Sequence, residues 1–142
     1  MKKLVSLSLL FSIISCTRPN TDSSFSKPIK VIKFMGINSY SNDINPKIFW
    51  SHTDEHMFLF MERAAFLSDI EAYKETSSSS LHEYIYAFIT PKDTLYSDYT
   101  LKSWILIRNK KEKYYYDEEG KTMKFLKRTY PFFRDCLNAD GM

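Results

Sequence analysis

Two histidines and two acids stand within five residues, His52-Thr53-Asp54-Glu55-His56. If this stretch is helical, His52 and His56 share one face a turn apart, because side chains at i and i+4 meet. Two imidazoles so placed can hold a zinc ion, and Glu55 between them can take a proton from a metal-bound water. The chemistry would be hydrolysis. A catalytic zinc normally takes three protein ligands, and here the third would have to be His82 or an acid such as Glu83. The geometry also depends on the cap. With Ser51 as N-cap both histidines are helical, and with Thr53 as N-cap His52 falls outside. The simpler reading is an acidic first turn, in which Asp54 and Glu55 complement the helix dipole. On that reading the chain holds no metal, uses no cofactor and is not an enzyme.

The H-x-x-E-H spacing is similar to that of the inverzincin metallopeptidases. The resemblance implies a small zinc-dependent hydrolase, with His52 and His56 as ligands and Glu55 activating water. Those peptidases are far larger and add an acidic ligand from a distant helix. Other catalytic patterns are missing from the sequence: it has no nucleophile elbow and no P-loop, and Gly36, Gly120 and Gly141 are too dispersed to cradle a phosphate. Cys136 lacks an evident base and is expected to be buried beside Phe132 and Phe133. The chain carries 10 Tyr, 11 Phe and 2 Trp. Consecutive Tyr114, Tyr115 and Tyr116 cannot all face one side of a strand, so at least one is a candidate for partner contact.

The amino-terminal residues point to a location. Lys2 and Lys3 precede an apolar run from Leu4 to Ile14, broken only by Ser6, Ser8 and Ser12. Such a run is too short to span a bilayer, which takes roughly 20 apolar residues, and has the layout of a secretory signal. It ends in Ile13-Ile14-Ser15-Cys16, which resembles the lipobox of bacterial lipoprotein precursors. The resemblance implies cleavage between Ser15 and Cys16, a diacylglyceryl thioether on Cys16, and usually an acylated new amino terminus. Several acyl chains anchor stably where one holds only marginally. Thr17 in place of aspartate implies the outer membrane, facing the periplasm.

The expected organisation is therefore a signal peptide over 1–15, a lipidated tether over 16–28, and a single domain over 29–142. Extended, residues 17–28 reach at most ~40 Å. Ile29 to Ile37 reads as a strand and 38–46 as a loop. Lys47 to Trp50 reads as a short apolar piece, a candidate strand. Residues 54–75 read as a helix, since 54–69 lack Gly, Pro and β-branched residues. The alternative makes Met57–Met61 a buried strand, because short apolar runs are ambiguous. Leu81 to Thr90 reads as a central strand, and Tyr99–Arg108 pairs with Lys113–Tyr116 in a hairpin turning at 109–111. A short helix over 122–128 ends before Pro131. This predicts an α+β fold: an antiparallel sheet of about four to five strands, one longer helix at about 54–75, and a short C-terminal helix.

With 142 residues, 44% of them hydrophobic, the chain fills one core, and a net charge of +3 argues against nucleic-acid binding. The charge is divided, with residues 101–142 basic and 17–100 acidic, which suits steering of an acidic partner. The expected role is a lipid-anchored envelope protein acting as a non-catalytic binding module. Its expected partners are the membrane, through lipid on Cys16, and a protein. An immunity-type inhibitor of a periplasmic toxin is the second expectation, and the zinc hydrolase the third.

Overall fold

The computed structural model describes residues 27–36, 43–62 and 64–134. The signal peptide, Cys16, the tether as far as residue 26, and Cys136 lie outside the described residues.

Among the described residues seven strands form one antiparallel sheet: β1 (Ile29–Phe34), β2 (His56–Met61), β3 (Lys74–Thr76), β4 (Tyr86–Ile89), β5 (Asp93–Ser97), β6 (Ser103–Arg108) and β7 (Lys111–Tyr116). Their order across the sheet is β2-β1-β4-β5-β6-β7-β3. Three short helices accompany them: α1 (Pro46–Ser51), α2 (Leu67–Ile70) and α3 (Lys121–Thr129). Single 3₁₀ turns cover Thr53–Glu55 and Pro131–Phe133.

This corrects the expected fold in two respects. The sheet has seven strands rather than four to five, and the longer helix at about 54–75 does not form. In its place the chain runs through a 3₁₀ turn, β2, the single turn of α2, and β3. The physical reason is partner demand. Strand β1 bonds β4 along one edge, and its other edge needs a ladder, which His56–Met61 supplies over six registered pairs. Helix propensity over 54–69 is worth tenths of a kcal/mol per residue, and tertiary pairing overrides it. Met57–Met61 is a strand, although an edge one rather than a buried one. A second difference is α1, at the place read as a short extended piece. The Asn45 side chain accepts from Ile48 N–H at 3.0 Å, and Pro46 occupies the first helical position.

Period-2 alternation divides the core into two layers. On one face, Val31, Tyr86, Phe88, Leu95, Trp104, Leu106 and Tyr115 are all buried, and α2, α3 and the last 3₁₀ turn cover them. Phe133 stacks on Phe88 at 5.8 Å, and Phe66 meets Phe88 edge-on at 6.1 Å. On the other face, Ile32, Phe34, Ala87, Tyr96 and Ile105 are buried, with Phe49 of α1 packed on Phe34 and Tyr96. The expected hairpin forms as β6 and β7, joined by Asn109 and Lys110, both at positive φ.

Candidate functional site

The H-x-x-E-H residues are not brought onto one helix. His52 caps the C-terminus of α1, with ring Nδ1 3.1 Å from the Ile48 carbonyl oxygen. Glu55 closes the 3₁₀ turn, and His56 opens β2. The chain therefore changes direction between the two histidines, and the i, i+4 relation that places both imidazoles on one face is lost. His56 donates from Nε2 to the Phe49 carbonyl at 2.7 Å, surrounded by the rings of Phe34, Phe49, Trp50 and Phe58. It is a bonded member of an aromatic cluster. Among the described residues no three His, Cys, Asp or Glu side chains gather as a metal-binding group.

The three tyrosines of β7 divide across the sheet. Tyr115 is buried opposite Trp104 in the register, while Tyr114 and Tyr116 lie half-buried on the other face. Tyr114 donates its hydroxyl to Glu112 at 2.8 Å, and this bond holds its pKa above the ordinary phenol value. Short strand β3 pairs with all three, Thr76 with Tyr114, Glu75 with Tyr115 and Lys74 with Tyr116. The run is thus largely committed to the sheet.

Contact-ready apolar surface lies elsewhere, in two places. The first is the outer edge of the sheet. Met57, Phe58 and Phe60 of β2 are 45%, 48% and 72% exposed, and Trp50 of α1 beside them is 40% exposed. The rings are contiguous, since Trp50 lies 6.0 Å from His56 and His56 lies 6.1 Å from Phe58. Trp50 is fixed by donating its indole N–H to the Tyr96 hydroxyl at 2.9 Å. Lys30 on β1 places its ammonium 4.1 Å above the Phe58 ring, a cation–π contact that leaves the lysine stem along apolar surface.

The second place is a groove of about 740 Å³ between α2 and α3, on the opposite face of the sheet from α1. Ala65, Phe66, Ala72 and Phe125 give it an apolar lining, and Asp69 and Lys121 stand on its polar rim. Its walls are tied together. The Tyr73 and Thr122 hydroxyls are hydrogen-bonded at 2.6 Å across it, and just outside it Arg108 of β6 holds Glu71, after α2, at 2.7 Å and buried Asp93 at 2.8 Å. Those two carboxylates raise the Arg108 pKa further above its ordinary value. Helix α3 also carries Lys124, Lys127 and Arg128, and of its basic residues Lys121 lines the groove, one turn before Phe125.

Neither surface was found from the sequence. Phe58 and Phe60 become visible as an outward pair only once His56–Met61 is read as a strand. The groove needs the fold, because α2 and α3 are separated by five strands of chain. No protein-family model, no curated protein and no solved structure matches this chain.

Proposed function

We propose that the protein is a lipid-anchored, non-catalytic binding module of the bacterial envelope, whose groove between α2 and α3 receives an acidic protein partner. The lipobox-like Ile13-Ile14-Ser15-Cys16 supports the anchor. The observation that carries the binding reading is the groove itself: an apolar concavity of about 740 Å³ with Lys121 of the basic helix α3 on its rim, braced by the Tyr73–Thr122 bond. Preformed concave apolar surface with few polar groups is what a partner's side chains require, and flanking charge steers the encounter. Lys121 stays cationic beside Glu119, whose carboxylate lies 3.1 Å away and raises its pKa.

A photo-crosslinking amino acid in place of Phe125, in living cells, is expected to give a discrete protein adduct. Lys121→Glu with Lys124→Glu is expected to abolish it. Equal labelling from a crosslinker at exposed Lys92, or no adduct at Phe125, would count against the groove.

A further inference from the structure

The edge strand β2 is built without the usual protection. Edge strands in soluble proteins carry lysine, proline, bulges or a covering segment, because an open apolar edge recruits other chains. Residues His56–Met61 contain no Lys, Arg, Asp, Glu or Pro, and β1 pairs with them without a bulge over all six positions. Among the described residues no strand pairs with the outer edge of β2. Phe60, the most exposed large apolar side chain of those described, is in the middle of this surface.

We propose that this edge, with Trp50, Met57, Phe58 and Phe60, rests on the lipid bilayer at headgroup depth. The inference depends on lipidation of Cys16. The place where the tether joins the domain selects the occupant. Ile29 pairs with Met61, and Lys30 pairs with Phe60, so the anchored chain joins the domain one strand spacing, about 4.8 Å, from the β2 backbone at Phe60. Residues 17–28 reach at most ~40 Å from the lipid, and they lead into β1 beside the Phe60–Met61 end of β2. At that range the tether supplies an effective concentration on the order of millimolar, so a weak surface contact is populated.

The side chains suit that depth. Tryptophan and phenylalanine settle at the boundary between headgroups and acyl chains, and lysine stems reach back to the phosphates. Lys30 lies over Phe58, and Lys27 is exposed just before β1. The acids flanking β2, Glu55 and Glu62, stand at its two ends, outside the apolar stretch. Depth is limited by the backbone. An open sheet edge cannot enter hydrocarbon, where its N–H and C=O groups would lack partners, whereas water and headgroups satisfy them at the interface.

The test uses the lipidated protein as isolated from cells, reconstituted into phosphatidylethanolamine–phosphatidylglycerol vesicles with or without bromine on the acyl chains. Mass spectrometry of the Cys16 peptide reads the anchor separately. Trp50 fluorescence is expected to be quenched by the brominated lipid, while Trp104, 1% exposed, is shielded, and Trp50→Phe removes the quenched component. Phe58→Ser with Phe60→Ser is expected to weaken the contact roughly tenfold per ring, returning quenching toward the Trp50→Phe level. The protein should still pellet with the vesicles. Lipid present on Cys16 with equal Trp50 emission in both vesicle types would overturn the proposal and leave the anchor standing. So would crosslinking of β2 to β2 of a second copy, since another chain would then cover the edge. An unmodified Cys16 would remove the premise along with the anchor.

Discussion

Individual side chains carry more of the stability here than their number suggests. Trp104 is buried in β6, donates its indole N–H to the Leu101 carbonyl at 3.1 Å, and lies 5.3 Å from Phe88. Truncation leaves a cavity beside Phe88 in the core, so Trp104→Ala is expected to cost about 3–5 kcal/mol. A urea titration showing a loss below about 1 kcal/mol would contradict its place in the core. The phenols make a pH prediction. Burial raises the pKa values of Tyr73, Tyr84 and Tyr96 above the ordinary phenol value of about 10. Below that value both native and unfolded chains hold the proton, and these groups add no slope. Above it the unfolded chain releases protons that the native one keeps, so stability falls as pH rises. Urea midpoints measured between about pH 8 and pH 11 should decline at the top of the range, and more gently in Tyr96→Phe and Tyr73→Phe. An identical decline in both variants would show that other groups, lysines among them, set the slope.

Among the elements, the β6–β7 hairpin offers the sharpest local test. Arg108 and Lys111 are the last registered pair, so Asn109 and Lys110 form a two-residue loop with φ of 52° and 61°. Turns of this kind need positive φ at both positions, which suits asparagine and glycine and disfavours lysine. Lys110→Gly is expected to stabilise the protein by about 1 kcal/mol, and an unchanged or lower urea midpoint would refute it. The same hairpin was legible in the sequence, because a polar break separates two strongly apolar or aromatic runs. The helix expected at 54–75 failed because HMFLFM has neither a 2-residue nor a 3.6-residue polarity rhythm, and what decides it is β1's unpaired edge. In α1 the Asn45-Pro46 pair was a readable start signal that the apolar Ile48-Phe49-Trp50 obscured. Of the candidate site, the histidines and tyrosines were visible as residue types. Their roles depended on chain direction and strand pairing, which no local spacing encodes. The surfaces that matter most, at β2 and between α2 and α3, arise from register and from contacts across the sheet.

For the whole molecule, the two proposed contact surfaces lie apart. The groove lies with α2 and α3 on one face of the sheet, and the exposed rings lie at the β2 edge and beside α1 on the other face. A domain resting on β2 would keep the groove open to a partner. The anchor is tested most simply by Cys16→Ser, which is expected to release the protein from membranes and abolish labelling with a fatty-acid analogue. Unchanged membrane retention in that variant would remove the lipoprotein reading.

Strand β1 has a further consequence when force is considered. It is the first strand among the described residues, yet it lies inside the sheet, paired with β2 at six positions and with β4 at four. Any pull on the chain ahead of Ile29 is delivered along β1 and resisted by both neighbouring ladders at once. Hydrogen bonds loaded in this way must yield together, in shear, whereas an edge strand pulled sideways peels one bond at a time. If the proposed anchoring through Cys16 holds, the domain would be gripped at the point where the tension arrives.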